Sequence, residues 1–226
     1  MFVMTSHENH DETVEFFRSN NYFGGGESSF IFFPQTMLPA VDTNGKIMLK
    51  SYCELKLAPN GNGAFFEAIR SNQMVQKELT KFQYVQIIGI DNALNKVLDP
   101  IQIGFTHQRQ LNVTLKACAK ARPLEKCGVI GKKNGRCNIV EYSELPSDLA
   151  HKKDDKGDLY FKLGYILVYL CRTDLLIDLC KSGESSALYH KAFKKISHCH
   201  PETWEDIKPS SENGWKFELF LHNFLP

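Results

Sequence analysis

The chain has 226 residues, 42% hydrophobic and 23% charged, with 27 Lys plus Arg against 26 Asp plus Glu and a formal charge of +1. That balance argues against nucleic acid or an anionic membrane surface as the main partner, because both are met with a clustered positive excess. No apolar run reaches the roughly 18 residues that a membrane span needs, and the length suits one core, so a single domain over 1–226 is expected.

Met1-Phe2-Val3-Met4-Thr5-Ser6 has no basic flank and too short an apolar stretch for a signal peptide. Phe2 to Thr5 reads as a strand that begins almost with the chain, which suggests a lost upstream segment. Asn9 or Asp11 is placed to cap a helix carrying Val14, Phe16 and Phe17 that ends near Asn20, before Gly24-Gly25-Gly26. A second strand, Ser29 to Phe33, stops at Pro34 with Gln35 just beyond. Asp42-Thr43-Asn44-Gly45 carries the Asn-Gly signature of a hairpin turn.

Pro59-Asn60-Gly61-Asn62-Gly63 is a loop, since two glycines and a proline break regular structure and asparagine favours turns. About twenty helix-compatible residues follow from Ala64, so the glycines open a helix whose first N–H groups offer themselves to an anion or a carbonyl, and whose approach lacks Cβ atoms that would hold off a flat ligand. Tyr84 to Ile90 is short, β-branched and apolar, as a strand buried on both faces of a parallel sheet would be. Asp91 then falls at its carboxyl end, where open α/β sheets gather ligand groups. On this reading Gln35, Gly61 and Asp91 border one cleft.

Asp99-Pro100 starts another helix running towards Gln110, Asp as cap and Pro in the first turn. Three short strands come next, from Val113, Cys127 and Cys137, the last two joined by a turn at Lys132-Lys133-Asn134-Gly135. After the polar Asp154–Asp158 loop, the apolar stretch from Leu159 to Leu179 divides into a strand and a helix begun near Thr173 or Asp174. The tail from Ser182 is polar, with Trp204 and Trp215 as anchors. Seven cysteines without a Cys-x-x-Cys pair read as reduced thiols of a cytoplasmic protein. His7 with His10, and His198-Cys199-His200, lack partners at metal-ligand spacing and read as surface or loop residues.

With these elements in place, the sequence resembles the eukaryotic UDP-N-acetylglucosamine pyrophosphorylases, which are UTP:N-acetylglucosamine-1-phosphate uridylyltransferases. The resemblance is carried, in order, by Met4-Thr5-Ser6; Phe33-Pro34-Gln35 with Met37-Leu38-Pro39-Ala40; Gly45-Lys46-Ile47; Ala58-Pro59-Asn60-Gly61-Asn62-Gly63; Asp91-Asn92 with Asp99-Pro100 and Ile103-Gly104-Phe105; Cys127-Gly128-Val129; Val140-Glu141-Tyr142-Ser143-Glu144; and Asn213-Gly214 with Lys216. It implies an α/β fold: a mixed, mostly parallel, Rossmann-like nucleotide-diphospho-sugar transferase sheet with helices on both faces. It also implies UTP or UDP-N-acetylglucosamine and a sugar-1-phosphate as partners, and Mg²⁺ as cofactor. Residue by residue, Gln35, the Gly61 backbone and Asn62 correspond to uracil-recognising positions, because an amide and a backbone group match the donor and acceptors of uracil but not of a purine. Asp91 corresponds to the Mg²⁺ ligand. Gly128 and Glu141 correspond to the sugar-binding pair, and Lys216 to a catalytic lysine near the phosphates.

Departures from the family pattern are as specific. The family's glycine-rich, arginine-containing phosphate loop precedes its Met-Thr-Ser stretch, so this chain is expected to lack the first βα unit and, at the other end, the C-terminal domain. Asn-Ala-Gly-Asn is replaced by Lys162-Leu163-Gly164-Tyr165, and Phe-Val-Phe-Asp by Phe220-Leu221-His222-Asn223. Two readings follow: a uridylyltransferase by family whose isolated 226 residues are expected to be inactive, or a non-catalytic truncated paralogue that binds a uridine nucleotide or a protein partner.

Overall fold

The computed structural model describes residues 1–133, 135–182 and 189–225. Asn134, part of the expected Lys132–Gly135 turn, and the start of the polar tail at 183–188 lie outside them. Two compact units appear where composition shows no boundary: Met1–Glu78 with Leu179–Phe224, and Leu79–Asp178 with the chain end from Leu225.

The first unit opens with the expected strand, Phe2–Thr5, paired in parallel with Ile31–Pro34 in the register Phe2 to Ile31 through Thr5 to Pro34. Helix His10–Ser19 begins after Asn9. The Asn9 side chain does not cap it but accepts from the Ser6 N–H (2.7 Å) and hydroxyl (3.1 Å), tying the strand end to the helix start. Beyond the helix, Asn21, Tyr22 and Phe23 have φ of 49°, 47° and 52°, a left-handed run that L-residues disfavour. Phe17 opposes that strain, its ring lying 5.2, 5.1 and 5.0 Å from those of Phe23, Phe30 and Phe32.

Met37–Pro39 pairs antiparallel with Leu57–Pro59. Between them the Asp42 carboxylate accepts from Asn44 N–H (2.8 Å) and Lys46 N–H (2.9 Å), and Gly45 supplies φ of 80°, so the Asn-Gly turn forms as expected. The long helical stretch is two short helices, Ala64–Arg70 and Gln73–Leu79, because the Asn72 side chain accepts from Val75 N–H (3.1 Å) and restarts the second. In the tail, Gly214–Glu218 pairs antiparallel with His190–Lys194 and Val41–Asp42. Trp215 anchors it against Phe193 (4.6 Å between rings), whereas Trp204 stays half-exposed beside Tyr52.

The second unit is organised on Leu163–Arg172, whose Val168, Tyr169, Leu170 and Cys171 are at most 1% exposed. The strand-then-helix division of this stretch occurs where expected, at Thr173. It pairs antiparallel with Tyr84–Ile88 and with Val113–Ala119, and at Val129 with the Val129–Lys133 strand, itself paired antiparallel with Arg136–Val140. The mixed α/β class holds, but the parallel setting read for Tyr84 to Ile90 does not. That strand is antiparallel to its partner and half-buried except at Ile87, and the parallel pair among the described strands is the Phe2–Thr5 one. Short apolar runs carry no mark of strand direction, which explains the error.

Helix Pro100–Gln108 starts as expected, with an Asp99 oxygen accepting from Ile101 N–H (3.1 Å). Its other oxygen meets Lys116 Nζ at 2.6 Å. The Lys116 ammonium, then the Ile101 N–H, hold the Asp99 carboxyl below the usual carboxylate range. A carboxylate depressed in the folded state stabilises above its unfolded pKa, about 4, and that contribution fades as pH falls through the folded value. Thermal melts from pH 7 downward should therefore show Asp99→Asn less stable than wild type near neutrality, the gap closing below about pH 4. Parallel curves across that range would refute a role for the Asp99–Lys116 pair.

Candidate functional site

Three of the expected site residues lie in or beside the glycine loop of the first unit. Gly61 has φ of 74°, and a Cβ there would stand 2.5 Å from the Leu219 carbonyl oxygen; one at Gly63 would stand 2.7 Å from the Leu219 carbonyl carbon. The loop is bonded to that same segment: Leu219 N–H donates to Asn60 O (2.9 Å), Gly63 N–H to Leu219 O (2.7 Å), and Leu221 N–H to the Asn62 side-chain oxygen (2.8 Å). The missing Cβ atoms thus admit the chain's own backbone. Likewise the N–H groups of Ala64, Phe65 and Phe66 donate to the carbonyls of Gly61, Asn62 and Gly63, each at 3.3 Å, so the helix start offers no open anion cradle.

Gln35 follows Ile31–Pro34, fixed by its N–H on Thr5 O at 2.8 Å. Its side-chain oxygen is buried with no hydrogen-bond partner among the described residues. Such a group costs about 1–3 kcal/mol unless something donates to it. Thr36, the next residue, connects Gln35 to the loop: its carbonyl accepts from Asn60 N–H (3.3 Å), and its hydroxyl accepts from the Asn60 amide (3.4 Å) and donates to Glu67 (3.0 Å). Thr36 and Glu67, 31 positions apart, escape sequence reading because no motif spacing joins them. Lys216 lies half-buried in Gly214–Glu218, opposite Ala192.

In the second unit, Asp91 is exposed on the turn after Tyr84–Ile88. The turn is braced by Asn92 and Asn95, whose side chains bond each other (3.0 Å) while Asn95 also donates to Gly89 O (3.2 Å). No cluster of three or more His, Cys, Asp or Glu side chains surrounds a metal position among the described residues. Asp91 therefore fits Mg²⁺ only as one carboxylate, with phosphate oxygens and water completing an octahedral shell, which is how that ion is commonly held.

Gly128 and Glu141 are brought together: a Cβ at Gly128 would lie 3.6 Å from a Glu141 carboxylate oxygen, and 3.2 Å from Ile139. The Gly128 carbonyl accepts from Tyr165 N–H at 2.8 Å. Tyr165 turns its ring onto Tyr169 (5.7 Å), and burial pushes its hydroxyl pKa far above the ordinary phenol value. Lys162 is held at the surface by Asp158 (3.0 Å) and Asp154 (3.6 Å). Lys120 is buried, its Nζ donating to Pro123 O at 3.1 Å.

The inhibitor-bound UDP-N-acetylglucosamine pyrophosphorylase of Trypanosoma brucei superposes with a TM-score of 0.82 at 34% identity, over 99% of this chain and 43% of that one. The fold is thus that of the UDP-sugar pyrophosphorylases. Residues 1–183 match the family model described as UTP–glucose-1-phosphate uridylyltransferase, and the chain belongs to that family. Relatives include the UDP-N-acetylglucosamine pyrophosphorylase of Saccharomyces cerevisiae, 33% identical over 97% of this chain and 46% of its own length. The UDP-N-acetylhexosamine pyrophosphorylase-like protein 1 of Xenopus tropicalis is 34% identical over 97% and 43%. The chain spans less than half the length of these relatives.

Proposed function

We propose that the chain is the uridine-nucleotide-binding portion of a UDP-N-acetylglucosamine pyrophosphorylase. The reaction is attack of an N-acetylglucosamine-1-phosphate oxygen on the α-phosphorus of UTP, with pyrophosphate leaving. The observation that carries this reading is the orphaned, buried oxygen of Gln35 in a bracket shared with the glycine loop. Uracil presents an imide N–H to that oxygen and a carbonyl to the amide N–H, and its second carbonyl is left for a backbone N–H of the loop; adenine, whose edge has one donor and one acceptor, fills the amide but not that third position. Gly61 contributes backbone, and Asn62, whose oxygen is held by Leu221, contributes loop shape and its amide nitrogen. Gly128 and Glu141 are assigned to the sugar, the carboxylate accepting from hydroxyls, and Lys216 to the phosphates. Asp91 would hold Mg²⁺, which supplies charge neutralisation to phosphate oxygens.

Lys162 and Tyr165 favour the second reading, a non-catalytic uridine-nucleotide binder acting alone or on a protein partner. One is committed to surface carboxylates and the other is packed on Tyr169, so neither replaces an asparagine facing a sugar. The cysteines among the described residues are free thiols, which fits a cytoplasmic setting, and no helix there is long and apolar enough to cross a membrane.

Thermal-shift titration of the 226-residue chain with UTP, UDP-N-acetylglucosamine, ATP and GTP tests the base assignment, since a ligand that binds only the folded state stabilises it. Uridine nucleotides should raise Tm in proportion to the logarithm of concentration, and Gln35→Ala should abolish the rise. Equal shifts with the purines would refute it.

A further inference from the structure

We propose that Thr36 is a specificity-positioning residue, holding Gln35 and Gly61 at the spacing that reads uracil; this rests on the uridine reading above. Thr36 and Asn60 are the chain neighbours of Gln35 and Gly61, and they are joined twice: through Asn60 N–H on Thr36 O and through the Asn60 amide on the Thr36 hydroxyl. The Glu67 carboxylate, on the helix that the loop opens, accepts the Thr36 hydroxyl proton at 3.0 Å. With its proton directed to Glu67, the hydroxyl has only lone pairs for Asn60, so the Asn60 amide must present nitrogen to Thr36 and oxygen away from it. That oxygen is buried, on a residue 0% exposed, and has no hydrogen-bond partner among the described residues. The bracket therefore holds one unpaired acceptor, on Asn60, in a set direction, and a second unpaired acceptor sits on Gln35, the residue before Thr36. A group kept at such cost serves position rather than stability.

The test uses the full 226-residue chain and calorimetric titration with UTP and CTP, which differ at the edge of the base that Gln35 would read. Wild type should prefer UTP. Thr36→Val keeps the shape but removes both hydroxyl bonds, and should weaken UTP by about tenfold while leaving CTP unchanged, so the preference collapses. Thr36→Ser should restore it. Glu67→Leu, which removes the oxygen that takes the hydroxyl proton, should act in the same direction and provides a second variant if Thr36→Val folds poorly. A Thr36→Val chain that keeps the wild-type UTP-to-CTP ratio, or loses both nucleotides equally with a matching fall in Tm, overturns the inference while the uridine reading stands. A wild type that binds both pyrimidines alike overturns the uridine reading and this inference with it.

Discussion

Purified as 226 residues, the chain is expected to release no detectable pyrophosphate from UTP and N-acetylglucosamine-1-phosphate, even with Mg²⁺. Nucleotidyl transfer asks the protein chiefly for position and charge neutralisation, so the donors around the triphosphate carry most of the rate. No stretch of these residues resembles the family's glycine-rich, arginine-containing loop. Two lysines of the second unit are occupied otherwise: Lys120 is buried on Pro123 O, and Lys162 is paired with Asp158 and Asp154. The N-terminus of Ala64–Arg70 has its first N–H groups bonded to the loop. Each missing electrostatic donor costs about 10²- to 10³-fold in rate, and two or three together put turnover below ordinary detection. Converting Lys162 and Tyr165 to asparagine is not expected to restore it, because the sugar side is not where the phosphate charge develops. Turnover that is present in the wild type and vanishes in Asp91→Asn would overturn this, and would mean that Lys216, alone or with another cation, suffices to grip the phosphates.

What could be read in advance was local. Thr173 ends a strand and starts a helix because Leu163–Arg172 is rich in β-branched and aromatic residues while Thr173-Asp174 is a helix-start signal. Asp99-Pro100 and Asn44-Gly45 act through their own side chains and backbone limits, and both formed as expected. Long-range relations were not legible. The antiparallel setting of Tyr84–Ile88 depends on Leu163–Arg172, which no property of the strand encodes. The turn expected at Lys132–Gly135 foreshadowed the fold-back of Val129–Lys133 onto Arg136–Val140, but not the register that pairs Val129 with Val140, so Gly128 and Glu141 as a pair entered through family resemblance. The glycine loop shows the limit most clearly: the residue types announced a close backbone approach, but the partner proved to be Leu219 to Leu221, so distant in sequence that Asn62 and Leu221 are 159 positions apart.

That closure makes Gly61→Ala the substitution with the largest expected effect on stability. Two penalties coincide at Gly61. Its φ of 74° costs an L-residue roughly 1–2 kcal/mol, and a methyl would stand 2.5 Å from the Leu219 oxygen and 3.0 Å from its nitrogen, closer than packed atoms approach. Backbone rather than a flexible side chain blocks the way, so relief requires parting the loop from 219–221 and weakening the bonds Gly63 N–H to Leu219 O, Leu219 N–H to Asn60 O and Leu221 N–H to Asn62. We expect about 3–5 kcal/mol of destabilisation in urea unfolding, near the upper range for single substitutions. Gly45→Ala is the matched control: its φ is 80° with no atom within 4 Å of the added carbon, so it should lose only the backbone share, about 1–2 kcal/mol. Asn62→Ala removes the single side-chain bond to Leu221 and should cost about 1 kcal/mol. Equal losses at Gly61 and Gly45 would mean that the loop and the Leu219 backbone do not meet in solution, and the bracket around Gln35 would lose its support with them.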